Sequence, residues 1–358
     1  MHKDDLMTPK ERFSAMNRGE AIDRFPAVPF LSAIGPKLAG ITMREARNDS
    51  RKEAAFRIKN YELLGQDSTG VDYGLHGIGI ALGSTATDPE NAWPNLVTYA
   101  LDDLSGLNTL DLSKVERRND PFLNRLYEAE QIILEKIGGE VGGVDFSLCG
   151  PVTAAASIYP TSLLLRAIRK TPDKVHELLR FSTDAIKIIC EDFVKLGAGF
   201  TLCDPVASGT ILRKEDYLEF AFPYTKELVE HFHNNSCSVT YHICGNTAKI
   251  LESMVDTGVD VLSIDNIVDL EDTKKRVGSR ICIAGNVDPV KIMLEGTPED
   301  IDSGIKKCFA QAWDSPKGYI LATGCGIPNA APAENVFQFM KSARKYGRIA
   351  AQKLQRSK

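Results

Sequence analysis

From Pro151 onward, short apolar runs alternate with stretches whose apolar residues recur at helical spacing, the rhythm of βα units around a parallel sheet. The runs Gly199–Pro205, Ser238–Gly245, Val259–Asn266, Arg280–Asn286 and Gly318–Gly326 are rich in Val, Ile, Leu and Thr. Each closes on turn residues, so each predicts a strand. Helices are expected between and after them, at Lys214–His233, Asn246–Gly258, Asp269–Val277, Pro298–Trp313 and Pro332–Lys353. Upstream, Glu140–Leu148 reads as another strand and Pro172–Leu196 as a long helix with a charged face. Ser68–Gly74 and Phe25–Phe30 bring the strands to the eight that close a barrel. The expected fold is therefore α/β, a single (β/α)8 TIM barrel domain over residues 1–358. It would carry an N-terminal extension and a loop-rich insertion near residues 80–119, including Trp93-Pro94, that covers one end.

Composition narrows the function classes. With 43 Lys+Arg against 48 Asp+Glu the formal charge is -5, so no global basic field exists to hold a nucleic acid. No apolar run approaches the roughly 20 residues of a spanning helix, and the start MHKDDLMTPKERF lacks the apolar stretch of a signal peptide. A cytoplasmic protein with no membrane partner is expected. In that setting eight Cys at irregular spacings read as buried thiols or ligands, not as a disulfide framework.

Catalytic groups of parallel barrels sit at the carboxyl ends of the strands. The polar residues closing the runs are Asp204, His242, Cys244, Asp265, Asn286, Asp288 and Cys325. His242 and Cys244 are two apart on an extended run, so both point to one face. Imidazole and thiolate are zinc ligands, and a catalytic zinc keeps a position open by using three protein groups, of which Cys325 would be the third. The same residues also fit a hydrogen-bonded core histidine and two buried thiols. Cys203 points away from Asp204 on a strand and is assigned to the core.

HICGN, then GNVDP, then GCGIPNAAPAEN, together with DPVASGTILRKEDYLEFAFPY, resemble the uroporphyrinogen decarboxylase superfamily, in particular its methylcobamide:coenzyme M methyltransferase branch. The resemblance is close from about Gly150 to Gly347 and looser from Arg12 to Leu148. It implies a (β/α)8 barrel and a zinc ion held by His242, Cys244 and Cys325. Decarboxylases carry an Arg-rich segment near the amino terminus for tetrapyrrole propionates, where this chain reads RFPAVPFLSAIG. They also have His where this chain has Cys325. Both departures favour the methyltransferase branch. That branch has a Glu near the end of strand six that completes the zinc shell, and the matching position here is Asp265, one methylene shorter and also a plausible turn or cap residue. Asp204 resembles a family active-site acid, although Asp before Pro is an ordinary turn former too.

The implied activity is zinc-dependent transfer of a methyl group between a corrinoid and a small-molecule thiol such as coenzyme M. A free thiol is mostly protonated near pH 7, and zinc coordination removes that proton. No D-x-H-x-x-G signature surrounds any of the six His, so the cobalamin is expected on a separate corrinoid protein or free. Two alternatives remain at this point. One is demethylation of a methyl ether, methylamine or methyl halide onto a Co(I) corrinoid protein, and the other is a decarboxylase-type lyase.

Overall fold

The computed structural model describes residues 2–357. All eight expected strands form: β1 Ala27–Val28, β2 Thr69–Asp72, β3 Val144–Cys149, β4 Gly199–Cys203, β5 Val239–Ile243, β6 Val261–Ile264, β7 Cys282–Val287 and β8 Tyr319–Thr323. They make one sheet in the order β1-β8-β7-β6-β5-β4-β3-β2, with every pairing parallel. The two ends of that order are brought together by the amide of Asp67, just before β2, which donates to the Ala27 carbonyl (3.0 Å). In return the Ala27 amide donates to the Asp67 carboxylate (2.7 Å). The sheet is thus curled into the (β/α)8 barrel expected from the chain's rhythm.

The main apolar layer lies between the strands and the surrounding helices. Phe146 on β3 stacks on Phe193 at 3.8 Å between ring centroids, and Phe200 on β4 stacks on Phe232 at 4.1 Å. Because these outward positions hold the bulky rings, the alternate inward positions are left to smaller and more polar residues.

Helix Pro172–Leu196 runs as expected, with Pro at its start and Gly197 in the left-handed region (φ 76°) at its end. Two other helices differ from expectation. Lys214–His233 is split into Lys214–Phe220 and Phe222–Asn234, because Pro223 has no amide to continue the ladder. Asn246–Gly258 keeps only Leu251–Asp256. Its first turns are replaced by local bonds, Ala248 amide to the Asn246 side chain (3.0 Å) and Ile250 amide to the Thr247 carbonyl (2.9 Å).

The insertion contains a small antiparallel hairpin, Thr85–Ala86 with Leu96–Thr98, and two short 3₁₀ turns, Leu104–Thr109 and Leu112–Val115. It covers the carboxyl end of the barrel. Trp93 lines the barrel cavity there and donates its indole N–H to Ser32 Oγ (3.1 Å). Within the N-terminal extension, helix Pro9–Asn17 carries a capping box of Thr8 and Glu11. No helix among the described residues is long and apolar enough to cross a membrane.

Candidate metal centre at the barrel mouth

Parallel register sets Cys203 beside His242 and His242 beside Ser263, so β4, β5 and β6 present side chains at one level near their carboxyl ends. Cys244 lies one residue past β5. The chain turns there at Gly245, whose φ of 84° and close approach to Ser208 and Thr210 (2.8 Å from a built Cβ) admit no side chain. Cys325 lies two residues past β8, where the Gly324 amide is tied to the Val287 carbonyl (2.8 Å).

These three residues converge. His242 Nε2 is 3.3 Å from Cys244 Sγ, Cys244 Sγ is 3.6 Å from Cys325 Sγ, and all three ligand atoms lie within 4.8 Å of one another. A tetrahedral ion with metal–sulfur bonds of about 2.3 Å and metal–nitrogen bonds of about 2.0 Å has edges of about 3.8 Å between sulfurs and about 3.5 Å between sulfur and nitrogen. The His242–Cys244 and Cys244–Cys325 separations fall within about 0.3 Å of those edges, so the donor set is close to what a metal ion needs. Ser263 Oγ stands 3.0 Å from His242 Nδ1 and leaves Nε2 as the nitrogen facing the sulfurs. The Phe30 ring packs edge-on against the imidazole at 5.7 Å between centroids.

The electrostatics of the thiol pair point the same way. A hydrogen bond from Cys244, helped by His242 and opposed by burial, holds Cys325 far below an ordinary thiol, while the same bond and burial push Cys244 up. One thiolate is therefore favoured even with protein groups alone.

Asp265 does not join the cluster. Its Oδ2 accepts from the Gly245 amide (2.7 Å) and its Oδ1 from the Ile267 amide (3.1 Å), so it holds the loop that carries Cys244. Asn286 donates to the carbonyls of Asp265 (3.0 Å) and Val268 (2.8 Å), and Asp288 accepts from Asn266 Nδ2 (3.0 Å). These strand-end residues lace neighbouring loops together.

The two residues at the end of β4 exchange the places expected of them. Cys203, assigned to the core, lines the cavity, whereas Asp204 is fully buried outside it. Asp204 accepts from the Thr153 amide (2.7 Å), the Thr153 hydroxyl (2.6 Å) and the Val152 amide (3.3 Å), holding the first turn of helix Pro151–Ile158. Their alternation is as expected. Its phase is not, because Phe200 and Leu202 take the outward face and set Cys203 inward.

Asp72, at the end of β2, is the residue that sequence reasoning missed. It lines the cavity, accepts from the Gly74 amide (2.8 Å), and burial pushes its carboxyl up to about 6. It closes a run just as Asp204 and Asp265 do, and the same rule applied to β2 would have found it.

The cavity that holds this centre and continues down the barrel has a volume of 2030 Å³, larger than the roughly 300–1,000 Å³ of a single-ligand pocket. Arg125 reaches it with Nε donating to the Arg47 carbonyl (2.9 Å) and, among the described residues, without a carboxylate partner.

Residues 8–346 match the family model of uroporphyrinogen decarboxylase (URO-D). The chain belongs to that family. It is 29% identical over 349 residues to methylcobamide:CoM methyltransferase MtbA of Methanosarcina mazei, covering 95% of this chain and 98% of that one. It is 33% identical over 183 residues, half of each chain, to the uroporphyrinogen decarboxylase of Trichodesmium erythraeum. Among solved structures, a methyltransferase from Methanosarcina mazei superposes with a TM-score of 0.80 at 26% identity, covering 95% of this chain and 99% of that one.

Proposed function

We propose that this member of the uroporphyrinogen decarboxylase family, acting as one barrel domain over residues 1–358, transfers a methyl group from a corrinoid to a small-molecule thiol. The observation that carries the reading is the convergence of His242, Cys244 and Cys325 at the mouth, their ligand atoms within 4.8 Å of one another, a three-ligand set of the kind that leaves a catalytic metal one open position. End-to-end similarity to a protein named for methylcobamide and coenzyme M supports it. Zinc is the ion this donor set suits, and when bound it would supply the charge that makes an incoming thiol ionise at neutral pH.

The chain's own residues do the rest. Ser263 fixes the imidazole tautomer, and Asp265 fixes the loop of Cys244. Phe30 packs against the imidazole of His242, and Trp93, held by Ser32, lines the same mouth. Arg125 favours a thiol with an anionic tail, such as coenzyme M, whose sulfonate would meet an unpaired guanidinium. Asp72 stands ready to receive the thiol proton, its carboxyl raised toward neutrality by burial. The chain shows no corrinoid-binding signature, so the corrinoid would come on a separate protein that docks at the mouth.

Decarboxylation fits poorly. The segment after β1, which lines the mouth, offers Phe30 and Leu31 where propionate-binding arginines would be needed. Transfer in the opposite direction, from a methylated thiol onto a reduced corrinoid, draws support from 24% identity over 342 residues to a methylated-thiol–coenzyme M methyltransferase of Methanosarcina mazei. The deciding experiment incubates the protein with methylcobalamin and either mercaptoethanesulfonate or mercaptoethanol, with and without chelator. Chelator-sensitive loss of the methyl–cobalt absorbance, faster with the sulfonate, is expected. Chelator-insensitive decarboxylation of uroporphyrinogen with no corrinoid demethylation would overturn the reading.

A further inference from the structure

The interiors of such barrels are ordinarily filled by layers of branched apolar side chains. Here the cavity continues down the bore, past Gly70, Asp72, Asp145, Ser147, Gly199 and Thr201. At the opposite, amino-terminal end of the strands it is lined by Gly143, Asp260 and Lys317, the last two exposed to solvent. The bore therefore connects the candidate metal centre to the floor of the barrel.

Its polar groups are ordered along one wall. Asp72 on β2 is in register with Ser147 on β3, and Asp145 lies two residues below Ser147 on the same inward face. Neighbouring strands are about 4.8 Å apart and alternate residues about 6.6 Å, gaps that a hydroxyl or a single water spans. Ser147 Oγ also lies 4.0 Å from Cys203 Sγ. Below, the Asp145 carboxylate lies over Gly199, where a built Cβ would fall 2.3 Å from Asp145 Oδ1 and 3.1 Å from Ser238 Oγ. Ser238 and Asp260 both line the cavity at this floor, a gap for water in the bore to carry the proton across, and Asp260, held by the Val239 amide (2.7 Å), pairs with His233 (2.9 Å) at the surface.

We propose that Asp72, Ser147, Asp145, Ser238 and the Asp260–His233 pair form a proton exit path from the thiol site to the barrel floor. This rests on the methyl-transfer reading. In that reaction the sulfur–hydrogen and methyl–cobalt bonds break and a sulfur–carbon bond forms. The methyl–cobalt electron pair stays on cobalt, which goes from Co(III) to Co(I), and one proton is released. Burial pushes Asp145, like Asp72, up to about 6, a range in which a carboxyl both accepts and releases a proton near neutral pH. The titratable and charged groups that act on them are Glu130 from helix Pro121–Ile137 for Asp145, and Arg57 with Glu53 from helix Ser50–Leu64 and the thiols of Cys149 and Cys203 for Asp72. Glu130 is itself pushed up by burial and by Asp145.

The test follows proton release with a pH indicator when mercaptoethanesulfonate is mixed with metal-loaded enzyme. Asp145→Asn should retain metal content and melting temperature yet slow the release by about 100-fold, the scale of a lost proton-transfer group. A small weak base such as dimethylimidazole should restore it, which a merely structural defect would not allow. Ser147→Ala provides a second break in the path should Asp145→Asn fold poorly. Wild-type release rates in both variants, or slowing that dimethylimidazole does not relieve, would overturn the path. Those results would leave methyl transfer standing if the wild type demethylates methylcobalamin; a wild type that demethylates nothing strikes the functional reading instead.

Discussion

Two buried clusters of ionisable groups flank the barrel, and they are built on opposite plans. Near the amino-terminal seam, three guanidinium groups, Arg12, Arg24 and Arg344, face three carboxylates, Asp5, Asp23 and Asp67. Arg12 and Arg24 are 0% exposed. Arg24 grips Asp5 through two bonds of 2.8 Å and Asp67 through one of 2.6 Å, and Arg12 grips Asp23 at 2.7 Å and also binds Asp67. Asp67 is at the same time the residue that ties β1 to β2. At the mouth, by contrast, His242, Cys244 and Cys325 have one another, Ser263 and the Gly326 amide, and among the described residues no carboxylate or guanidinium pairs with them. A cluster whose charges balance internally holds chain segments in place. One whose lone pairs converge on a common point, with a side left open, is built to receive something.

The contrast is sharpest if the two clusters fail in different ways. Cys244→Ala and Cys325→Ala should each abolish bound metal by elemental analysis and cut methyl transfer by about 1,000-fold or more, the several kcal/mol of a lost metal ion. The metal-free stability of these variants should barely change. Full metal occupancy in both would dissolve the distinction. Arg24→Met should do the reverse, costing about 3–5 kcal/mol in denaturant titrations because the buried Asp5 and Asp67 carboxylates lose the guanidinium that bridges them and keep Arg12 and Arg344 beside them. Metal per folded chain should stay constant, and a loss of metal would mean that the seam and the mouth are coupled.

Ser263→Ala probes the mouth more gently. Removing the hydroxyl beside His242 Nδ1 should weaken metal binding by about 10–100-fold in competition with a chelating dye, with no effect on unfolding of the metal-free protein. An unchanged affinity would show that the imidazole is held by its packing against Phe30 alone.

The smallest expected effect concerns acid. Burial raises Asp5 and Asp23, but hydrogen bonds and charge from Arg24 and Arg12 outweigh it, and both carboxyls end below their ordinary values. A carboxylate depressed in the folded state contributes stability that is complete above about pH 4, its unfolded value, and is lost as pH falls through the folded value. Stability should therefore decline below about pH 4, with Arg24→Met showing a shallower decline. Equal acid slopes in the two proteins would show that the seam carboxylates are not the groups responsible.

What the chain's order of residues determines here is periodic and local. Apolar runs of strand length, spaced by amphipathic helices, specify eight strands and their parallel order, because each run can bury its outward face only against the helix beside it. His242 and Cys244 share a face for the equally local reason that extended chain alternates. Tertiary structure alone decided three other matters. Whether Cys203 or Asp204 faces the bore depends on which side of β4 meets Phe232, and no spacing within β4 reports that. Asp265 became a loop tie because the amides of Gly245 and Ile267 reached it first. The convergence of Cys325 with Cys244, 81 residues earlier, and the descent of Asp72, Ser147 and Asp145 along one wall exist only once the sheet closes. Closure converts positions distant along the chain into neighbours around one bore, and that proximity is written in no single stretch of sequence.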